Sequence, residues 1–403
     1  MRLTLLATIS TVALASHAGA QVVDPADWEA IEAMAEGQTV FWHAWGGSTP
    51  TNDFIAWVGE RAAEQGVTLT HVKLSDTSEA VSSVLAERQA GRSADGSVDL
   101  IWINGANFAS MKEEGLLFGP FAEDLPNWSL VDVEGKTVTT DFTVPTEGYE
   151  SPWAMAQVVF IRDTARLEEA PGSAGELLDW STSNPGRFTY PQPPDFLGTT
   201  FLKQMLMDLT PDPARLAEPV GDDYESVTAP LWDFLDALQP TLWREGRAYP
   251  LTGPRQLQLM NDGEIDLAIS FSPGEASTAI ANFQLPETVR TSVLDKGTLG
   301  NASFVAIPFN SSAKEGAMIV ADILLSPAAQ ARAQDPAVLG YGTVLDMEAL
   351  APADRAAFDA LDLGIATLSP DELGQAQPEP HPSWAERLAE DWVTRYGATG
   401  ATD

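Results

Sequence analysis

The sequence predicts an α/β protein of more than one domain, built on a parallel sheet that is covered by helices. Three observations lead to this fold class. From Thr39 onwards, apolar runs of strand length alternate three times with segments of helical period, and successive β-α units are typical of parallel sheets. The chain has 403 residues, whereas one domain usually takes roughly 150. Aliphatic and aromatic residues make up 44% of it, as expected for a chain with an ordinary hydrophobic core.

The first twenty residues have the pattern of a cleavable export signal. Arg2 precedes an apolar run of about 13 residues, which is shorter than the roughly 20 that a membrane-spanning helix needs. Ala18-Gly19-Ala20 has the small-x-small form of a signal peptidase site, so we expect cleavage between Ala20 and Gln21. The mature chain is therefore predicted to be exported and to comprise residues 21–403.

Charge and composition exclude several functional classes. The net charge at pH 7 is −36, and this disfavours nucleic acid and anionic membranes, which bind basic surfaces. There is no cysteine, and His43, His71 and His381 show no metal-ligand spacing, so we expect no metal site and no cofactor. The sequence contains neither the G-x-S-x-G elbow of many hydrolases nor the GxxxxGK[ST] loop of NTPases.

Three β-α units open the predicted sheet. Their strands are residues 39–45, 67–75 and 98–104. Capping residues mark the start of each helix: Thr49 caps a helix that begins at Pro50, Asp76 and Glu79 form a capping signature, and Asn107 caps the third. A glycine follows each helix and ends it.

The remaining sequence alternates in a similar way. Strands are predicted within 148–162, 263–272 and 300–310. Helices are predicted within 173–183, 199–209, 232–243 and 313–325. A final helix follows a proline-spaced linker and carries Trp384, Leu388, Trp392 and Tyr396 on one face.

Four stretches of the sequence carry a family resemblance. They are TLTHVKLSDTSEAVSSVLAERQAGRSADGSVDLIWINGANFASMKEEGLLFGPF (68–121), SPWAMAQVVFIRD (151–163), NDGEIDLAISFSPGEAS (261–277) and GNASFVAIPFNSSAKEGAMIVADILLSPAAQARA (300–333). In their order and spacing they resemble the extracellular solute-binding proteins of bacterial ABC importers. The resemblance is to the YnjB-like branch, which is distantly similar to thiamine- and maltose-binding proteins, and it covers nearly the whole mature chain.

The resemblance implies a two-lobe periplasmic-binding-protein fold of type II-like architecture, which sequence periodicity alone does not show. Each lobe is expected to hold a mixed, mainly parallel sheet flanked by helices, and the lobes to be interleaved around a ligand cleft at the hinge. The implied N-terminal lobe comprises residues 21–152 and 303–345. The C-terminal lobe comprises 153–302 and 346–403.

Ligands of open parallel sheets bind beyond the carboxyl ends of the strands, and this rule selects candidate contacts in the first lobe. They are Trp45, Gly46, Gly47, Ser48, Ser75, Asp76, Asn104 and Asn107. Candidates facing them are an aromatic residue at the crossing strand, a proline-rich loop, a strand end and the return crossing: Trp153, Tyr190, Gln192, Phe196, Phe271, Ser272 and Asn301. Structural roles compete with these, since Trp153 could pack the hinge, Asp76 could only cap its helix and the glycines could only form the turn.

The candidate residues favour a neutral or cationic solute that contains a ring. Trp45 and Trp153 would offer flat aromatic faces, while Asp53, Asp76 and Glu79 oppose a second negative charge at the helix starts. A thiamine-like compound fits the distant relatives. The resemblance further implies a membrane permease as partner, a periplasmic location in a Gram-negative bacterium and no catalysis, and we expect a monomer. Two alternatives stay open. One is a secreted enzyme on the same fold, such as a glycosidase, which would need two carboxylates in the cleft; the other is a soluble partner of a chemoreceptor.

Overall fold

The computed structural model describes residues 23–397, so the predicted cleavage between Ala20 and Gln21 lies outside the described residues. The strands are β1 (Thr39–Trp45), β2 (Thr68–Leu74), β3 (Leu100–Ile103), β4 (Leu117–Phe118), β5 (Thr140–Asp141), β6 (Val144–Pro145), β7 (Glu150–Gln157), β8 (Val159–Asp163), β9 (Leu267–Ser270), β10 (Val289–Ser292) and β11 (Gly300–Pro308). Within 23–397, no helix has both the length and the apolar character required to cross a membrane.

The α-helices flank two sheets. They are α1 (Trp28–Ala35), α2 (Thr49–Glu64), α3 (Ser78–Gln89), α4 (Gly105–Glu113), α5 (Ala174–Ser183), α6 (Phe196–Leu209), α7 (Tyr224–Leu238), α8 (Gly253–Asn261), α9 (Glu275–Ala281), α10 (Lys314–Leu325), α11 (Pro327–Gln334), α12 (Pro352–Asp359), α13 (Pro370–Leu373) and α14 (Pro382–Tyr396). The helices predicted within 173–183, 199–209 and 313–325 correspond to α5, α6 and α10. The predicted final helix corresponds to α14.

The first sheet contains the three predicted β-α units. Its strand order is β2-β1-β3-β11-β4, and β7 also pairs with β11. β1 runs parallel to both β2 and β3, which confirms the parallel arrangement predicted for these units. β11 runs antiparallel to β3, β4 and β7, so the complete sheet is mixed.

Two of the predicted helix caps are wrong. Ser48, not Thr49, caps α2, because its hydroxyl accepts a hydrogen bond from the Thr51 N–H at 3.3 Å. Asn107 does not cap α4, because it lies inside the helix. The N–H of Gly105, at the start of the helix, instead donates to the carboxylate of Asp141. That carboxylate is 36 residues away in the chain, and no local capping pattern indicates it.

The second sheet differs from the expectation of a mainly parallel sheet in each lobe. Its order is β10-β8-β9, and both pairings are antiparallel. β8 enters this sheet from β7 after a single residue, Val158, and the long helical segment that follows brings β9 back in the opposite direction. One parallel bridge, between Phe188 and Leu267, lies beside it.

Buried apolar residues form one cluster around the first sheet and two around the second. The first cluster draws on residues 23–154 and 302–358. The others draw on 158–299, Ala366 and the inner face of α14. We call these two bodies the first and the second lobe; β7 and β11 carry the chain between them. Leu350 and Phe358 pack in the first cluster, although they lie beyond the predicted end of the N-terminal lobe at residue 345, and the predicted lobe boundaries stay predictions.

Candidate functional site

The rim after β1 is built by close packing and by a helix cap. A Cβ atom at Gly47 would lie 2.2 Å from Cζ2 of Trp45, and one at Gly46 would lie 2.7 Å from Cβ of Lys73. A side chain at either position would therefore displace the neighbouring side chain of Trp45 or Lys73. Ser48 caps α2, so these four predicted contacts lie side by side at the start of that helix.

The end of β2 lies close to the start of α6 in the second lobe. The N–H groups of Ser75 and Asp76 donate to Oε1 of Glu79 at 3.1 and 3.0 Å, and Asp76 is exposed. Asp195 caps α6. Burial raises the pKa of Asp195 to about 6, two backbone N–H donors oppose the rise, and the negative charge of Asp76 adds to it. Two acidic groups from different lobes thus approach each other here.

The two predicted asparagines lie at the start of α4. Asn104 is the extended residue before the helix and makes no side-chain cap, and Asn107 lies in the first turn. Both residues are half-buried. The ring of Phe142 occupies the space beside Gly105, where a Cβ atom would lie 2.8 Å from its Cζ. The asparagines therefore border Phe142 and the Asp141 carboxylate.

Trp153 lies in the core of the first lobe, with 1% of its surface exposed. Its ring is stacked on Phe54 at 5.8 Å, meets Trp102 edge-on at 4.9 Å and lies 5.8 Å from Tyr341. Its indole N–H is buried and has no hydrogen-bond partner. The structure thus surrounds Trp153 with aromatic rings on several sides, which is the arrangement of a packing residue.

A second contact between the lobes involves the predicted residue Ser272. Its hydroxyl approaches the carbonyl of Gly340 at 3.4 Å, and the Gly274 N–H donates to the same carbonyl at 3.1 Å. Burial raises the pKa of the adjacent Glu275. Burial likewise raises the pKa of Tyr341 in the first lobe, and the negative charge of Glu275 contributes. A carboxylate of the second lobe therefore lies near an aromatic residue that touches Trp153.

Phe196 and Phe271, which come from separate segments of the second lobe, are brought together by the fold. Their rings meet edge-on with centroids 5.3 Å apart, and Phe196 is 41% exposed. The ammonium of Lys203 lies 5.8 Å from the Phe196 ring. This pair forms an accessible aromatic surface directly after the Asp195 cap.

The other two predicted residues of the second lobe have different environments. Tyr190 is buried in the core, stacked on Phe201 at 4.3 Å, and its hydroxyl accepts a hydrogen bond from Trp392. Gln192 is half-buried, and its side-chain oxygen has no hydrogen-bond partner. The structure thus groups Tyr190 with core aromatics rather than with Phe196 and Phe271.

Asn301 belongs to a buried polar network that sequence reasoning missed. Lys203 of α6 and Glu379 form an ion pair at 2.6 Å with side chains 2% and 0% exposed. The Asn301 amide donates to Glu379 at 3.4 Å, and its own oxygen has no partner. The Lys203 ammonium also lies 4.5 Å from the ring of Phe142 in the first lobe. The sequence does hold one signal for this network, since Lys203 is the single charge in the apolar run TFLKQMLM.

Two fully buried carboxyl groups of the first lobe are close enough to this network to feel its charges, and they too were missed. Burial raises the pKa of Asp141 to about 8, the negative charge of Glu379 adds to the rise, and the Gly105 N–H and Lys203 oppose it. Burial raises the pKa of Glu150 well above its usual range, and Asp141 contributes. One oxygen of Asp141 and both oxygens of Glu150 have no hydrogen-bond partner. No motif surrounds either residue in the sequence.

An open groove of 320 Å³ marks the outer boundary between the lobes. Its walls come from the start of α2, the end of α9 and the segment after α11. The lining residues are Thr49, Pro50, Asp53, Asn282, Gln284, Arg332, Ala337 and Val338. The groove therefore lies beside the rim of the first lobe, at the start of α2.

The sequence is similar to known proteins along most of its length. Residues 58–356 match the family described as bacterial extracellular solute-binding protein. The chain is 42% identical to Protein YnjB of Escherichia coli (strain K12) over 395 residues, which cover 98% of both chains.

Solved structures with a similar fold include a periplasmic binding protein and a putative ABC transporter protein. The periplasmic binding protein AfuA of Actinobacillus pleuropneumoniae, with exogenous fructose-6-phosphate bound, has a TM-score of 0.62 and 14% identity, covering 89% of this chain and 99% of that one. A putative spermidine/putrescine ABC transporter from Listeria monocytogenes has a TM-score of 0.61 and 17% identity, covering 88% and 98%. At these identities the structural matches show the periplasmic-binding-protein fold alone. Because the family match spans most of the sequence, the chain belongs to the bacterial extracellular solute-binding proteins.

Proposed function

We propose that this protein is the solute-capturing component of an ABC importer, which binds a small organic molecule between its lobes and delivers it to a membrane permease. The solute is neutral or cationic and contains a ring, as a thiamine-like compound does. The protein performs no chemistry on it. Closure of the lobes would be driven by the higher affinity of the solute for the closed state.

The observation that carries this proposal is the surface at the start of α6. The exposed ring of Phe196 lies against Phe271, next to the Asp195 carboxylate and within electrostatic reach of Asp76 across the boundary between the lobes. Aromatic faces next to carboxylates favour cations and ring systems, whereas an added anion would be repelled by both acids. The surface therefore supports a cationic or neutral ring better than a phosphate or sulfate.

Binding can be tested by thermal unfolding of the purified mature protein with a panel of metabolites that includes thiamine, polyamines and sugar phosphates. A solute present at about 100 times its Kd adds about 2.7 kcal/mol to the free energy of unfolding, so the melting temperature should rise clearly. Small-angle scattering should show a smaller radius of gyration with the same solute. The proposal fails if no metabolite raises the melting temperature and no small molecule is found by native mass spectrometry of the protein from its own host.

Delivery and oligomeric state need separate measurements. In proteoliposomes that hold the permease, the loaded protein should stimulate ATP hydrolysis more than the unloaded protein. Light scattering should give the mass of a monomer, as we propose. Periplasmic location follows from the export signal predicted for residues 1–20, and it predicts recovery of the mature chain, beginning at Gln21, from the periplasmic fraction.

A further inference from the structure

Asp141 and Glu150 are buried carboxyl groups whose hydrogen-bonding capacity is largely unused. Both are 0% exposed. Oδ2 of Asp141 accepts the Gly105 N–H, but its Oδ1 and both oxygens of Glu150 have no partner. A buried polar group without a partner costs about 1–3 kcal/mol, and native proteins contain few of them. Three unpartnered carboxyl oxygens in one region leave room for a hydrogen-bond donor that is not a side chain of this region.

The nearby lysines do not satisfy these carboxyl groups. Lys203 pairs with Glu379 at 2.6 Å. Lys112 donates to the Pro145 carbonyl and pairs with Glu147 at 2.8 Å. Both lysines lower the pKa of an acid in this region through their charge, but neither donates a hydrogen bond to Asp141 or Glu150. The missing donor must come from outside these side chains.

Asp141 lies beside a contact between the two lobes. Asp141 and the adjacent Phe142 belong to the first lobe, while Lys203, which covers Phe142, belongs to α6 of the second. Separation of the lobes would withdraw Lys203 from the Phe142 ring, which is next to Asp141 in the chain. The Phe142 ring beside them adds an aromatic face, which attracts cations.

The donor set indicates the class of cation. Within residues 23–397, no group of three or more His, Cys, Asp or Glu side chains is arranged to hold a metal ion. Carboxylates form their strongest hydrogen bonds with charged N–H donors. An organic ammonium, amidinium or guanidinium group supplies both the charge and the N–H bonds that these oxygens lack.

We propose that Asp141 and Glu150 form the subsite for an N–H-bearing organic cation of the solute. This rests on the proposed function, because it requires that a solute binds between the lobes. Burial raises the pKa of both acids, that of Asp141 to about 8, and so favours their protonated forms. The groups that face them are Glu379, Lys203, Lys112 and each other. A bound cation favours the ionised carboxylates, so binding should release protons.

The test uses three probes of similar shape with the mature full-length protein. Benzamidine carries a charge and N–H donors, benzyltrimethylammonium carries a charge without N–H, and benzyl alcohol is neutral. Only benzamidine should raise the melting temperature markedly at millimolar concentration. Calorimetry in two buffers of different ionisation enthalpy should show release of about one proton per bound benzamidine at about pH 7, and less at about pH 9, where Asp141 is already ionised.

Two variants and one control locate the effect. Glu150→Gln and Asp141→Asn should each weaken benzamidine binding at least tenfold, whereas Glu348→Gln, at an exposed acid of the first lobe, should bind as the wild type does. If one variant does not fold, the other variant and the proton release of the wild type decide the question. The subsite is overturned if benzamidine leaves the wild-type melting temperature unchanged, or if both folded variants bind it as tightly as the wild type.

Failure of the subsite can be separated from failure of the proposed function. Native mass spectrometry identifies the small molecule that co-purifies from the protein's own host, and its binding to the same variants is then measured. A neutral or anionic solute that binds equally well to Glu150→Gln would overturn the subsite and leave the importer function intact. An amine or amidine whose affinity falls at least tenfold in this variant would support both.

Discussion

The ammonium group of Lys203 lies 2.6 Å from a carboxylate oxygen of Glu379, and both side chains are almost completely buried. Glu379 also accepts a hydrogen bond from Asn301 on the crossing strand β11, and Lys203 lies over Phe142 of the first lobe. This one pair therefore connects α6, the segment before α14, a crossing strand and the first lobe. It is the centre of the polar network at the junction of the lobes.

Removing one partner of this pair should lower the free energy of unfolding far more than removing both partners. Lys203→Met leaves the Glu379 charge buried without its partner, and such changes typically cost about 3–5 kcal/mol of unfolding free energy. The double variant Lys203→Met, Glu379→Gln should recover a large part of that loss. Urea denaturation of the two variants measures the difference.

An exposed ion pair serves as the control for this comparison. Arg247 and Glu245 lie 3.0 Å apart, with side chains 76% and 69% exposed, and Arg247→Met should leave the urea midpoint unchanged because water screens the pair. Equal losses in Lys203→Met and in the double variant would show that the buried pair does not act as a unit.

Trp153 and Trp45 should respond differently to truncation. Trp153 is enclosed by Phe54, Trp102 and Tyr341, so Trp153→Ala should cost about 3–5 kcal/mol through the cavity it leaves. Trp45 is half-buried at the rim over Gly47. Trp45→Ala should therefore lower stability less and weaken solute binding at least tenfold.

Denaturant unfolding and solute titration of the same two variants separate stability from binding. If Trp153 contacts the solute, the folded Trp153→Ala protein should also bind the solute more weakly. Unchanged affinity there would leave Trp153 a packing residue. Unchanged affinity in Trp45→Ala would contradict the predicted rim contact.

Stability should depend on pH through Asp141. The folded state holds the proton of this carboxyl up to about pH 8, whereas the unfolded chain releases it near the ordinary value of about 4. The folded state thus binds more protons between about pH 4 and pH 8, so the free energy of unfolding falls as the pH rises through this window. Asp141→Asn cannot ionise and should reduce the fall by at least about 1 kcal/mol.

Urea denaturation at a series of pH values checks this slope. Glu150 acts in the same direction and remains in the variant, so part of the slope should persist. Asp354→Asn, at an exposed position on α12, should keep the wild-type slope. An Asp141→Asn protein with the full wild-type slope would mean that Asp141 ionises normally in the folded state.

The approach of Asp76 to Asp195 can be measured directly. Asp76→Asn removes a negative charge that contributes to the raised pKa of Asp195, so that pKa should fall below about 6. Carbon NMR of the labelled carboxyl group follows this titration. The same variant should weaken the binding of a cationic solute. An unaltered Asp195 titration would show that the two lobes stay further apart in solution than in this structure.

Many helices and strands could be predicted from local patterns, because each of these elements carries its own signal. The apolar run at 39–45 became β1, and the faces of α5, α6, α10 and α14 were visible in the spacing of their apolar residues. The cap of α4 was not predictable, since Asp141 reaches Gly105 from 36 residues away. The antiparallel direction of the strands in the second sheet could not be predicted either, because strand pairing depends on where the chain crosses between the lobes.

The sequence by itself determined that this is an α/β solute-binding protein with a predicted export signal, and it placed Phe196, Phe271 and Asn301 among the candidate contacts. Only the tertiary structure decided that Phe196 meets Phe271 and that Tyr190 packs in the core. It also decided that the buried Lys203–Glu379 pair acts on Asp141 through its charges, as Asp141 does on Glu150. The physical reason is the distance along the chain over which each kind of interaction acts. Periodicity and caps act over a few residues, whereas the burial and the pairing of a charge depend on segments that meet only when the two lobes come together.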